Sequence, residues 1–151
     1  MSQLTVRKLL IDLQTPFAVR WCSGDAFKSA FFNALSMSFP LGEQYFMDSV
    51  RAGLKMLPED QQARFAAEVQ GFVGQEATHR RIHSLFNKHL EDQGFSNEFE
   101  RRAIRRMAAN AHLDPRNHVA ATAATEHFTA LFADWMLKHP EALEGSEERL
   151  K

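Results

Sequence analysis

Only one cysteine, Cys22, occurs among the 151 residues, so no disulfide can close within the chain. That absence suits a reducing compartment. No apolar run approaches the roughly 18–20 residues that a membrane span requires. The first twenty residues scatter their charges and lack the clean apolar stretch of a secretory leader. The expectation is a cytoplasmic protein that engages no membrane. Charge of one sign is missing as well. A formal net charge of −1 leaves no broad field to attract nucleic acid, which is excluded as an expected partner. Repeats, low-complexity segments and strand-like alternation are also absent. What the chain does have is phenylalanine, 13 residues against a single tyrosine. A phenylalanine-rich interior suits a helical bundle with a dry core, and the length suits one domain over residues 1–151.

The periodicity places the helices. Residues 1–22 hold short apolar runs (Leu9-Leu10-Ile11 and Phe17-Ala18-Val19) around Pro16, and read as an extended segment lying across the outside. A first helix starts near Ser23-Gly24-Asp25, where a side-chain oxygen can cap free amides, and reaches about Leu57. Pro40 and Gly42 interrupt it and predict a kink. A second helix opens at Pro58 with Glu59 and Asp60 in its first turn, and Gly94 stops it. A third, short and basic with Arg101, Arg102, Arg105 and Arg106, runs from about Ser96 to about Ala111; its arginines read as a solvated face. A fourth opens at Asp114-Pro115, runs to about Lys138 and ends at His139-Pro140. Residues 140–151 read as a frayed polar tail.

Each long helix carries the same anomaly. The first has the stripe Phe32, Leu35, Phe39, Glu43, Phe46, Val50, Leu54. The second has Phe65, Val69, Phe72, Glu76, His79, His83, Phe86, Leu90. The fourth has Val119, Ala123, Glu126, Ala130, Ala133, Leu137. In all three a carboxylate interrupts an apolar or small-residue seam. A buried, unpaired carboxylate is costly or shifts its pKa until neutral, and three converging ones repel. A dication reverses that balance, and carboxylates with imidazole suit iron, manganese or zinc. Glu43 and Glu76 lie equally far from the turn at Glu59-Asp60, so in an antiparallel hairpin they sit at one depth, about 25 Å from it. His79 follows Glu76 at i+3 on the same face, the Glu-x-x-His element of dimetal carboxylate bundles. Glu126 cannot be placed this way, because a helix intervenes. His83 reads as a residue that supports the ligands or as a satisfied core histidine. His127 points about 100° away from Glu126. Glu43, Glu76, His79 and Glu126 are the candidate ligands, with His83 and His127 behind them.

Pro16, Arg20-Trp21, Gly24-Asp25, Phe31 to Ser36, Phe39-Pro40-x-Gly42-Glu43, Gln75-Glu76-Ala77-x-His79 and Thr125 to Thr129 resemble, together and over nearly the whole chain, a bacterial family described as predicted metal-dependent hydrolases. That family is in turn similar to ferritin-like dinuclear-iron N-oxygenases acting on aromatic amines. The resemblance implies an all-α, ferritin-like helical bundle with Glu43, Glu76, His79 and Glu126 at metal-ligand positions. It also implies longer relatives with a further helix carrying a second Glu/His cluster. No second Glu-x-x-His occurs here. The expected bundle is therefore incomplete, three main helices plus a short one, with an open apolar side that a homodimer would cover.

Three functions fit these residues. The first is an O2-using oxidoreductase of a small organic substrate with a divalent metal, iron before manganese or zinc. There Glu43 and Glu126 are terminal or bridging ligands, Glu76 bridges and His79 is a neutral imidazole ligand. The second is metal-dependent hydrolysis, in which a metal acidifies water and a carboxylate serves as base. The third is a helical dimerisation or metal-binding module without turnover.

Overall fold

The computed structural model describes residues 5–7 and 11–150; Leu9 and Leu10 of the first apolar run lie outside the described residues. The architecture is an all-α bundle of α1 (Ala26–Lys55), α2 (Glu59–Asp92), α3 (Glu98–Asn110) and α4 (Pro115–Lys138). The described residues include no strand and no helix long and apolar enough to cross a membrane.

Local chemistry sets the helix ends. The Asp25 side chain accepts from the Lys28 N–H at 2.9 Å and caps α1. Pro58 is the residue before α2 rather than its first turn. At the far end of α2, Gly94 (φ +90°) lets Phe95 N–H reach the Leu90 carbonyl and Gly94 N–H reach Glu91. That pair of bonds satisfies the last carbonyls of α2. Asn97, one residue after the expected Ser96, caps α3 through the Glu100 N–H. Asp114 caps α4, with Pro115 in the first turn.

α1 runs unbroken through Pro40 instead of being interrupted there. A proline has no N–H, so the Ser36 carbonyl four residues back loses its helical partner. Asn87 of α2 supplies one: its Nδ2 donates to the Ser36 carbonyl at 3.1 Å, and its Oδ1 accepts from Ser36 Oγ at 2.8 Å. The α1–α2 contact is thus fastened at the point where α1 is weakest.

α1 is the hub. α2 lies antiparallel along it, Ser36 opposite Asn87 and Gln44 opposite Arg80. α4 also lies antiparallel, Ser49 bonded to Thr122 at 2.6 Å and Gly53 under Val119. α3 runs alongside α1 in the same direction, tied by Asn97 Nδ2 to the Met37 carbonyl. Among the described residues no Cα of α2 comes within 8 Å of a Cα of α4, so the two helices face each other only through their side chains.

The chain ends depart from expectation. Residues 11–25 are irregular, but they do not lie on the outside: Leu13, Phe17, Trp21 and Cys22 are buried. Phe17 stacks on Phe86 at 4.7 Å, and Trp21 Nε1 donates to Asn33 at 2.8 Å. The tail is not frayed within the described residues. It forms 3-10 turns at Pro140–Leu143 and Glu148–Leu150, and Leu143 and Leu150 pack on the same cluster. Arg149 donates to the carbonyls of Thr15 and Pro16, fastening one end of the chain to the other. Burying side chains of this size contributes roughly 1.5–3 kcal/mol each, which explains why aperiodic segments settle against the open end of the hairpin.

The inner face of α4 also differs. Val119, Thr122, Glu126, Thr129, Phe132 and Met136 turn inward, whereas Ala123, Ala130, Ala133 and Leu137 are exposed. The outer side of α4 carries Phe128, Leu131 and Trp135, all exposed.

Candidate metal centre

Glu43 sits between Phe39 and Phe46 on the inner stripe of α1 and is 2% exposed; Glu76, from α2, is 4% exposed. One turn along, His79 brings Nδ1 to 3.8 Å from Glu76 Oε1. One ligand atom from each of Glu43, Glu76 and His79 lies within 4.8 Å of the others. The matched depth of Glu43 and Glu76 follows from the antiparallel hairpin.

Glu126 reaches the same level from α4. Ser49 opposite Thr122, four residues apart from Glu126 on the antiparallel helix, carries the register to Glu43. It stands outside the three-residue group, yet its charge raises the pKa of both Glu43 and Glu76. His83 uses Nδ1 on Ser36 Oγ at 3.0 Å and stacks on Phe39 at 4.4 Å. That is the arrangement of a satisfied core histidine. His127 is exposed beside Phe128 and is not brought to the cluster.

The electrostatics are those of acids held together with only Arg80 as countercharge. Burial pushes Glu43 up to about 8, and the charges of Glu76 and Glu126 add to it, while Arg80 opposes. Burial and then Glu126 push Glu76 up to about 7. Burial raises Glu126 as well. Burial lowers His79 and takes His83 down to about 4. Glu43 Oε2 is buried with no hydrogen-bond partner. Buried polar atoms are rarely left so, and a dication would satisfy this oxygen while relieving the repulsion. The donor set of two carboxylates and an imidazole therefore fits a divalent ion.

A family of predicted metal-dependent hydrolases matches residues 5–151. The chain belongs to that family. No curated protein and no solved structure gives a significant match. In this metal-dependent hydrolase family member, Glu43, Glu76 and His79 form the candidate site for a divalent ion.

Sequence reasoning missed the residue that aims His79. Gln75 Nε2 lies 2.7 Å from His79 Nε2, and Gln75 Oε1 accepts the Arg7 N–H at 3.5 Å. With the amide donating, the ring proton sits on Nδ1 and faces Glu76. An amide turned by 180° would accept from Nε2–H and free Nδ1 as a donor to an ion. The sequence signal was available: Gln75 lies four residues before His79, on the same helical face. Tyr45 and His118, joined at 2.8 Å across 73 residues, were also missed, and no spacing rule pairs them.

Proposed function

We propose that this chain is the metal-binding unit of a divalent-metal-dependent hydrolase. Glu43, Glu76 and His79 are its ligands, and Glu126 is the carboxylate that takes up the proton released from water. The single observation that carries this is the convergence of three ligand atoms within 4.8 Å, two of them from buried carboxylates, with one carboxylate oxygen unpartnered. The family match over residues 5–151 supports hydrolysis as the reaction class.

A divalent ion there supplies Lewis acidity to a substrate oxygen and lowers the pKa of water. The chain's own residues supply the rest. Glu43 and Glu76, only 2% and 4% exposed, would place their negative charge against a bound ion where electrostatic contacts are stronger than in water. Gln75 fixes the orientation of the His79 ring. Glu126 approaches from a different helix, outside the ligand group, and so remains free to accept a proton. Phe39 and Phe46, on either side of Glu43, limit water access.

The test is metal content per chain by elemental analysis, together with ester hydrolysis before and after chelation. About one metal per chain, lost in Glu76→Ala, with hydrolysis that follows the metal, supports the reading. In the Glu126→Gln variant, retained metal with lost hydrolysis supports the proton role. No metal uptake from zinc, manganese or anaerobic Fe(II) would sink it.

Three carboxylates at one level also favour a second reading, the ferritin-like dinuclear iron oxidoreductase. There Glu126 is a ligand, and two irons bind per chain. Two equivalents of iron, one of them lost in Glu126→Gln, with O2 consumption in place of hydrolysis, would select it.

A further inference from the structure

α3 and α4 both lean on α1 but leave a gap between them, a cavity of about 570 Å³. Leu35, Phe39 and Phe46 of α1 form its floor, and Phe99 and Met107 stand on the α3 side. That volume falls in the range of small-molecule sites.

The polar groups in this cavity are unevenly placed. Three hydroxyls lining it are already spent on their own helices: Ser38 donates to the Leu35 carbonyl, Thr125 to Ala121 and Thr129 to Glu126. The other polar side chains are Arg106 and Asn110, with no hydrogen bond among the described residues, and Tyr45 and His118, bonded to each other. They gather at one end. α3 runs alongside α1 with Asn97 beside Met37, so Phe99 lies level with Phe39, and Arg106 and Asn110 lie level with Tyr45 and Ser49. His118 joins Tyr45 there at 2.8 Å. The opposite end, around Leu35, Phe39 and Phe99, is apolar.

Charge distinguishes this end further. Among the described residues Arg106 has no acidic partner, as is also true of Arg102 and Arg105 on the same helix, but Arg106 is the one of these that lines the cavity. Asp48, an exposed carboxylate of α1, is engaged by Arg51 at 3.6 Å and Gln44 at 2.8 Å. Arg106 and Asn110 are exposed at the mouth, where a charged head can keep part of its hydration.

We propose that this cavity binds an amphipathic organic anion. Its carboxylate lies against Arg106 and Asn110 at the mouth, and its apolar body lies along Phe46, Phe39 and Phe99. None of Glu43, Glu76, His79 and Glu126 lines the cavity, but Phe39, Phe46 and Thr129, which do, each lie one helical turn from Glu43 or Glu126. As the seat of the hydrolase's substrate the cavity rests on the function proposed above; as a binding site it stands alone.

The test is calorimetric titration of the metal-free protein with octanoate, 1-octanol and octylamine. Octanoate is expected to saturate one site and bind about tenfold more tightly than 1-octanol, the ordinary return of a charge-assisted contact. Arg106→Ala removes that preference while leaving octanol binding intact. Ala103→Trp, on the half-buried side of α3, fills the gap and abolishes binding of both, with the helical circular-dichroism signal unchanged. Equal affinity for octanoate and octanol, octanoate binding unaffected by Ala103→Trp, or no saturable binding of any probe would overturn the proposal. Because no metal is present, its failure leaves the metal centre untouched. Loss of metal in Glu76→Ala likewise leaves this site untouched.

Discussion

Replacing Glu43 by glutamine should make the metal-free protein more stable, and only in a defined pH window. Glu43 rises from an ordinary 4.5 to about 8, and Glu76 to about 7. A carboxyl with a raised folded-state pKa holds its proton more tightly when folded. Its contribution is present at or below about 4.5 and is lost as pH climbs to the folded value. His83 acts in the opposite sense, since its folded value of about 4 lies below the ordinary 6.5. Its influence ends once unfolded histidine is neutral. Above 6.5 the carboxyls act alone. Each such group costs about 1.4 kcal/mol per pH unit, so Glu43 alone removes about 2 kcal/mol between pH 6.5 and 8. Glu43→Gln keeps the shape and abolishes this slope. The new amide can donate to Glu76, which limits the cost of its own burial. Urea denaturation in excess chelator, at intervals across pH 5–8, reads the difference directly. The advantage of the variant over wild type should grow by about 3–4 kcal/mol between pH 5 and pH 8. A wild-type profile that is flat above pH 6.5, or a variant less stable at pH 8, would refute the electrostatic account of the cluster.

Further outcomes follow from single contacts. Asn87→Ala strands the Ser36 carbonyl opposite Pro40 and should cost about 2–3 kcal/mol in chemical denaturation; a loss below 0.5 kcal/mol, on the order of a surface change, would show that α1 tolerates its proline unaided. At Gly53 an added Cβ would meet Val119 Cγ2 at 2.5 Å. Gly53→Ala should therefore destabilise by about 1–2 kcal/mol, and Val119→Ala should relieve it in a double-mutant cycle. Gln75→Ala should weaken metal affinity about 10–100-fold in competition with a chelating dye; unchanged affinity would mean that His79 needs no orienting partner.

The long helices and the caps of α1 and α4, Asp25 and Asp114, were legible in the sequence because 3.6-residue periodicity and capping chemistry are local. The equal depth of Glu43 and Glu76 was legible too, because a short turn ties two helices into one register. Glu126 was not, since a whole helix separates it from that turn. The inward face of α4 was misread for a different reason. Alanine costs little on either face, so a seam of Ala123, Ala130 and Ala133 carries no direction, and Thr122, the residue buried against Ser49, looks polar in sequence. Burial of Leu13, Phe17 and Trp21 left no periodic trace, because these residues sit on irregular backbone where each anchor is placed singly. The hydrogen bonds from Arg149 to Thr15 and Pro16 join residues more than 130 apart, which no local pattern encodes. The unbroken course of α1 through Pro40 depended on Asn87, a partner from another helix.

Cys22 has no exposed surface, and Ser146 of the tail donates to its sulfur at 3.3 Å. The neighbouring Ser23 hydroxyl donates to the Glu144 carbonyl, and Glu147 N–H reaches the Trp21 carbonyl at 3.4 Å. The only thiol of the chain is therefore sealed by its own C-terminal turns. A thiol reagent can react only in moments when those turns have lifted, so the rate of labelling becomes a clock for how often the two ends of the chain part company.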